Sequence, residues 1–261
     1  AGGGEAVLHP DLAEALEAIN TSGMESALIT NGLLLNDEQI EAVARYTRWV
    51  GVSVDAGTRE TYLKCKQSNR FDEVIGNIKK LVEYGAREVT YKFLIHPYNQ
   101  YEIMRSFLIA YHAGCQAIHI RPLSFLSYQK EQEIYDIASI NNQIEECQDF
   151  KTNGMKIYAV RHKYDRSLHR KVDFTDCCAS PLLCMLEANG DVSICIDRKG
   201  EPETKLCSHN NLEELRSSWG SDYHKELLVN IDVTKCPKCT INIYNELFQA
   251  YKDDTFCKNF P

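Results

Sequence analysis

The amino-acid sequence predicts an α/β protein with a parallel sheet, followed by a smaller α+β domain. In the first half of the chain, short apolar segments alternate four times with amphipathic segments, which is typical of parallel βα units. The strand segments are apolar nearly throughout, as expected when both faces of a sheet are covered. Eight of the eleven cysteines follow residue 172, so the last third has a different composition.

The predicted elements of the first part follow one another closely. Glycine at position 85 ends one of the helices, as is common after a helix C-terminus. A long polar helix over 130–151 and a strand over 155–160 complete this part. We therefore divide the chain into domains 1–171 and 172–261. Hydrophobic spacing predicts helices over 10–19, 37–46, 71–84 and 101–112, and strands over 26–30, 49–54, 89–95 and 117–120.

The second part contains a hairpin signal. Asn189-Gly190-Asp191 separates the β-prone segments 182–186 and 192–196, and Asn-Gly pairs favour tight hairpin turns. Short helices are predicted over 212–219 and after Cys239.

The composition excludes several classes of protein. The net charge is −8 with no basic stripe, so nucleic acid is a poor partner. No apolar run approaches the ~20 residues of a membrane helix, and the first residues lack the pattern of a signal peptide. An odd number of clustered cysteines without an export signal predicts a cytoplasmic protein whose thiols bind metal rather than form disulfides.

Four cysteines are the candidate metal ligands. Cys236-Pro-Lys-Cys239 places two thiols two residues apart, so that one turn can direct both to one centre. A second pair with this spacing, as in a zinc ribbon, does not occur. Cys178 and Cys195 bracket the predicted hairpin, whose ends come together. Four thiolates suit either one [4Fe–4S] cluster or one zinc ion.

The other cysteines are weaker candidates. Cys177 adjoins Cys178 and could replace it, while Cys207 is a rival ligand and Cys257 is undecided. Cys184 lies in an apolar run, where a free cysteine usually packs as a small hydrophobe. The same role is expected for Cys65, Cys115 and Cys147.

In both parts of the chain the sequence resembles a known family. Gly3-Gly4-Glu5, followed by Ala-Val-Leu-His9-Pro10-Asp11, resembles the glycine–glycine–glutamate segment of radical S-adenosylmethionine (radical SAM) enzymes. Residues 28–32, 52–62 and 71–78 are similar to the strands and helix that follow it in that family. The hairpin and its cysteines resemble the family's SPASM/twitch extension. The shorter twitch form with one auxiliary cluster fits better, because Tyr244-Asn245-Glu246 stands where a second cluster needs cysteines.

The resemblance implies a partial (β/α) TIM-like barrel, with its first strand missing, plus a small α+β twitch-type domain. It implies that Glu5 contacts the methionine amino group of S-adenosylmethionine, and that Arg121 holds its carboxylate. Alternative roles are a solvated turn residue for Glu5, a helix cap for Asp55 and a surface ion pair for Arg121. The implied cofactor-binding residues are Gly3, Gly4, Glu5, Asn31, Ser53, Asp55 and Arg121.

The family's defining CxxxCxxC motif does not occur in the sequence. We expect it upstream of Ala1, which makes the chain an N-terminally truncated fragment that is inactive alone; the alternative is a protein that has lost catalysis. The catalytic [4Fe–4S] cluster is then expected only in the full-length protein. The missing strands also predict an exposed sheet edge near the N-terminus.

The chemistry implied by the resemblance is hydrogen abstraction by a 5′-deoxyadenosyl radical. The substrate would be a sugar, a peptide or a small natural product. The auxiliary [4Fe–4S] cluster would take up an electron, which suits an oxidoreductase, and flavodoxin or ferredoxin would be the electron donor. The alternative is an α/β protein that binds zinc through the four cysteines and has no redox catalysis.

Overall fold

The computed structural model of the chain describes residues 4–122, 135–150, 154–161, 174–236 and 239–252. The chain divides into two compact units, Gly3–His169 and Arg170–Pro261. The predicted domain boundary at residues 171 and 172 lies outside the described residues. Among the helices in the described part, none combines the length and the apolar character needed to cross a bilayer.

The first unit contains a five-stranded parallel sheet in the order β1-β2-β3-β4-β5. Within the described sheet β1 lies at one edge, as the sequence predicts. The strands are β1 (Ser26–Thr30), β2 (Thr47–Ser53), β3 (Val89–Ile95), β4 (Ala117–Pro122) and β5 (Lys156–Ala159). The helices are α1 (Leu12–Thr21), α2 (Asp37–Tyr46), α3 (Arg59–Lys66), α4 (Phe71–Glu83), α5 (Ile103–His112) and α6 (Ile137–Asp149).

Most predicted elements of this unit are confirmed within two residues of their ends. The long polar helix is shorter than predicted, because it begins at Ile137 with Asp136 as its cap; residues 130–134 and 151 lie outside the described part. Helix α3 was not predicted. It is short and polar, and it begins where the Thr58 side chain accepts a hydrogen bond from the backbone N–H of Thr61.

The two faces of the sheet differ in chemistry, since successive residues of a strand point to opposite sides. One face packs against α2, α4 and α5 and is apolar. The prediction of strands that are apolar nearly throughout is wrong for the other face, where Ser53, Thr90, Lys92, His119 and Arg121 alternate with the core residues. The apolar face consists of Leu28, Val50, Val52, Tyr91, Phe93, Ile118 and Ile120.

The second unit is small, and its core is formed by Val192, Ile194, Leu206 and Cys207. The predicted hairpin is confirmed as an antiparallel pair. A third strand, which the sequence did not predict, pairs with it. The strands are β6 (Met185–Leu186), β7 (Asp191–Ser193) and β8 (Lys205–Ser208), and the helices are α7 (Leu212–Ser218), α8 (Asp222–Val229) and α9 (Asn242–Lys252).

Candidate cofactor site and thiol cluster

Glu5 and Asn31, two of the predicted cofactor residues, lie side by side. The carboxylate oxygen Oε2 of Glu5 accepts a hydrogen bond of 2.7 Å from the backbone N–H of Asn31. Its Oε1 accepts a longer one, 3.4 Å, from the N–H of Val7. Gly4 has a φ of +79°, which glycine adopts without steric cost. Glu5 is therefore anchored rather than freely solvated, whereas Gly3 lies outside the described residues.

The loop after β1 is held in place by the buried side-chain amide of Asn77. Asn77 on α4 donates a 2.7 Å hydrogen bond to the carbonyl of Gly32, and the Asn31 side chain accepts one of 2.8 Å from the N–H of Leu33. Gly32 has a φ of +76°, and a Cβ at that position would lie 2.6 Å from a methyl group of Val52. Only glycine fits this turn without a shift of the β2 core.

Asp55, at the end of β2, uses its carboxylate inside the protein. It is buried and has a φ of +59°, which is unusual for a residue other than glycine. Its carboxylate accepts a 2.7 Å hydrogen bond from the N–H of Leu94 and pairs with the ammonium of Lys66. The alternative role as a helix cap is wrong, because Thr58 caps α3. A cofactor contact of Asp55 stays a prediction.

A glutamate that the sequence did not single out holds the same turn. Glu102, just before α5, accepts hydrogen bonds from the N–H of Gly57 at 2.8 Å and from the hydroxyls of Thr58 and Thr61 at 2.9 and 2.8 Å. More than forty residues separate Glu102 from the turn, so no local pattern could have indicated this contact.

The polar face of the sheet brings Ser53 into one row with two further side chains. In the strand register Ser53 lies opposite Lys92, and Lys92 lies opposite His119. The Lys92 ammonium is 3.5 Å from Nδ1 of His119. Burial lowers the pKa of Lys92, nearby Arg121 lowers it further, and Asp55 opposes both effects. Lys92 could have been singled out in the sequence as a lysine within an otherwise apolar strand, but it was not predicted as a site residue.

Arg121 lies two residues beyond His119 on β4, towards the carboxyl end of the sheet. Its Nε is buried and has no hydrogen-bond partner among the described residues. A buried donor of this kind is costly unless an acceptor satisfies it. The methionine carboxylate of S-adenosylmethionine is a matching acceptor, so the residue present fits the group that the sequence implies. A purely surface ion pair does not account for the buried Nε.

Three of the four predicted metal ligands, Cys195, Cys236 and Cys239, lie close enough to Cys177 for its charge to raise the pKa of each. Burial raises the pKa of Cys195, and the nearby Cys177 raises it further. Burial raises the pKa of Cys236, where Cys195 and Cys177 add to the effect and Arg198 opposes it. Burial raises the pKa of Cys239 to about 11, and Cys177 contributes there as well.

Cys178, the predicted fourth ligand, has a different neighbour. Its sulfur lies 4.0 Å from the ammonium of Lys252, which also pairs with the carboxylate of Asp176 at 2.9 Å. Within the described residues, no three His, Cys, Asp or Glu side chains are placed closely enough to bind a single metal ion.

Hydrogen-bond donors surround the thiol group. Backbone N–H groups of Asp197 and Arg198 face Cys195 and lower its pKa against the larger effect of burial. Asn245, which is fully buried, directs its amide nitrogen towards Cys239 at 3.6 Å. Donors of this kind favour thiolate ligands over neutral thiols and tune iron–sulfur centres. The hydrogen-bond donors around these sulfurs are thus of the kind that iron–sulfur centres use.

The remaining cysteines divide between core and surface. Cys115 and Cys147 are buried, as predicted, and Cys65 is half-buried. The prediction for Cys184 is wrong: its thiol is exposed, because the small second unit leaves the apolar run around it uncovered. Cys207 packs in the core of that unit, and Cys257 lies outside the described residues.

The first unit is an α/β domain whose parallel sheet carries polar and charged side chains on one face and at its strand ends. Residues 1–108 match the family model of the radical SAM superfamily. Over these residues the chain is similar to radical SAM enzymes, a superfamily that uses S-adenosylmethionine and [4Fe–4S] clusters.

Known proteins of this type are similar to most of the chain. A protein of Saccharolobus islandicus (strain Y.N.15.51) described as a probable GTP 3′,8-cyclase is 27% identical over 233 residues, which cover 87% of this chain and 74% of the relative. The crystal structure of Streptococcus suis SuiB bound to precursor peptide SuiA has a TM-score of 0.61 at 17% identity and covers 91% of this chain. Native anSMEcpe with bound AdoMet has a TM-score of 0.59 at 15% identity and covers 87%. The chain spans 57% and 66% of those two structures, and these likenesses support the fold.

Proposed function

We propose that the chain belongs to a radical SAM oxidoreductase that carries one auxiliary [4Fe–4S] cluster. The observation that supports it best is the buried Nε of Arg121 at the carboxyl end of β4, which lacks a hydrogen-bond partner within the described part of the chain, in a domain that matches the radical SAM model. The catalytic residues of parallel α/β barrels lie at this end of the strands.

In this proposal the first unit binds S-adenosylmethionine with its own polar groups. Glu5 accepts a hydrogen bond from the cofactor's ammonium, while Arg121 donates to its carboxylate. Ser53 and Asn31 lie at strand ends where they can bond the carboxylate or ribose. When bound and reduced by one electron from a catalytic [4Fe–4S] cluster, S-adenosylmethionine would supply the radical that removes a hydrogen atom from the substrate. The role of the protein is to orient the cofactor and to exclude water.

The second unit is proposed to hold the auxiliary cluster and to take up an electron. Cys195, Cys236 and Cys239 provide three thiolates, and the adjacent pair Cys177 and Cys178 provides the fourth. The N–H groups around these sulfurs support a cluster of negative charge. Zinc on the same thiolates is the competing possibility, and it would leave the protein colourless.

The substrate is proposed to be a small organic molecule or a peptide. An open cleft of about 630 Å³ lies on the polar sheet face and is lined by Trp49, Thr90, His119 and Tyr158. This volume suits a small ligand. A purine nucleotide is a second candidate. Lys92 and Arg121 place two cationic groups on this face, and the Saccharolobus relative is described as acting on GTP.

Calorimetric titration with S-adenosylmethionine tests the cofactor site. We expect Arg121→Ala to weaken binding about 10- to 100-fold, because a charge-assisted hydrogen bond contributes about 1.5–3 kcal/mol. Arg48→Ala is the matched control, because the Arg48 side chain is exposed and its ion pair with Glu25 is long, at 3.8 Å. Equal affinities for wild type and Arg121→Ala would contradict the proposed site.

Anaerobic reconstitution with iron and sulfide, followed by metal analysis and visible absorption, tests the auxiliary cluster. We expect iron and sulfide in equal amounts and a brown protein. A protein that takes up zinc and remains colourless under the same conditions would support the zinc alternative and overturn the cluster.

A further inference from the structure

The segment that precedes the short helical turn Ser180–Leu182 contains two adjacent cysteines, Cys177 and Cys178, with different contacts. The sulfurs of Cys177 and Cys178 contact different side chains, those of Asn245 and Lys252 respectively. The contacts of each sulfur decide between them.

The buried amide of Asn245 defines the position of Cys177. Its Oδ1 accepts a 2.8 Å hydrogen bond from the N–H of Ala179, which fixes the orientation of the carboxamide. Its Nδ2 is thereby directed at two sulfurs, that of Cys239 at 3.6 Å and that of Cys177 at 4.0 Å. Because both sulfurs lie around one nitrogen, they cannot be more than 7.6 Å apart. The ligands of a cuboidal cluster bind different irons, so a separation within this limit suits them.

Cys178 contacts a different side chain. Lys252, near the end of α9, lies 4.0 Å from the Cys178 sulfur and 2.9 Å from a carboxylate oxygen of Asp176. Lys252 and Asp176 are both exposed, whereas Asn245, which contacts Cys177, is fully buried.

We propose that Cys177, rather than Cys178, is the fourth thiolate of the cluster, and that Asn245 is a positioning residue which joins Cys177 to Cys239 and donates a hydrogen bond to the cluster sulfurs. This inference rests on the proposed auxiliary cluster and specifies its ligands. Hydrogen bonds to thiolate sulfurs stabilise the reduced, more negative cluster. Asn245 therefore raises the reduction potential in addition to holding the site together.

Two matched single substitutions in the whole chain test the assignment of the ligand. After anaerobic reconstitution we expect Cys177→Ala to lose the cluster iron and the visible absorption, whereas Cys178→Ala retains both at the wild-type level. Circular dichroism of each variant before reconstitution verifies that it is folded. Loss in Cys178→Ala, or retention in Cys177→Ala, would overturn the assignment. Wild type that takes up no iron and sulfide would instead overturn the proposed cluster itself.

A redox titration followed by electron paramagnetic resonance tests the role of Asn245. We expect Asn245→Ala to bind the cluster with a reduction potential lower than that of the wild type, because one donor to the sulfurs is lost. Asn242→Ala is the control, since its amide donates to the carboxylate of Glu246 and not to a sulfur in the described contacts. An Asn245→Ala cluster with the wild-type potential would refute the tuning role.

Discussion

Substitution of Gly32 tests the packing that places the β1 loop beside Glu5. Gly32→Ala introduces a Cβ that would lie 2.6 Å from Cγ1 of Val52, a fully buried residue of β2. The backbone there has a φ of +76°, which disfavours any side chain. Two separate costs are therefore expected, one from the backbone and one from the core.

The magnitude follows from those two costs. A residue with a Cβ in the left-handed region loses about 1–2 kcal/mol, and forcing a methyl group into a packed core costs about 1–3 kcal/mol. Gly32→Ala should lower the free energy of unfolding by about 2–5 kcal/mol in total. Gly85→Ala is the matched control, because Gly85 has a φ of +82° but no atom within 4 Å of the added Cβ. It should show the backbone cost alone.

Urea unfolding in a Trp219→Phe background measures both variants. The chain has two tryptophans, so the remaining fluorescence then reports on Trp49 in β2, the strand that pairs with β1. Val52→Ala removes the methyl group that meets the new Cβ, so the double variant with Gly32→Ala should lose less than the two single losses combined. Equal losses for Gly32→Ala and Gly85→Ala, or strict additivity with Val52→Ala, would refute the close packing.

Two further predictions concern titratable groups. Burial lowers the pKa of Lys92 below its ordinary 10.5. The charged lysine therefore destabilises the folded protein at pH values below its lowered pKa. This cost decreases as the pH rises and is gone above pH 10.5, where the lysine is neutral in the unfolded chain as well. Lys92→Met should therefore increase the urea midpoint at pH 7, and a gain that does not shrink towards pH 10.5 would contradict this reasoning. Burial raises the pKa of Cys115 and of Cys147 to about 12, so iodoacetamide at pH 8 should modify the exposed Cys184 in the native protein and spare these two thiols. Peptide mass spectrometry measures this, and their labelling before unfolding would show that they are accessible.

Local pattern was sufficient to predict the order of the elements. Hydrophobic spacing places β1, α2 and β3 at their observed bounds, because periodicities of 2 and 3.6 residues are properties of neighbouring residues. The Asn189-Gly190 hairpin followed from turn chemistry alone. The candidate cofactor residues Glu5 and Asn31 were predicted from their motif, and the structure brings them together by a hydrogen bond across 26 residues.

Contacts between distant segments were decided only by the tertiary structure. The position of Glu102 beneath the Gly57 turn, and of Lys92 beside Arg121, depends on strand register and loop path rather than on any nearby residue. The two adjacent cysteines illustrate the same limit. Spacing allowed either Cys177 or Cys178 as a ligand, because the side to which a residue points in an irregular segment is set by backbone torsions that long-range packing selects. Here the buried amide of Asn245, 68 residues from Cys177, selects the direction of that sulfur.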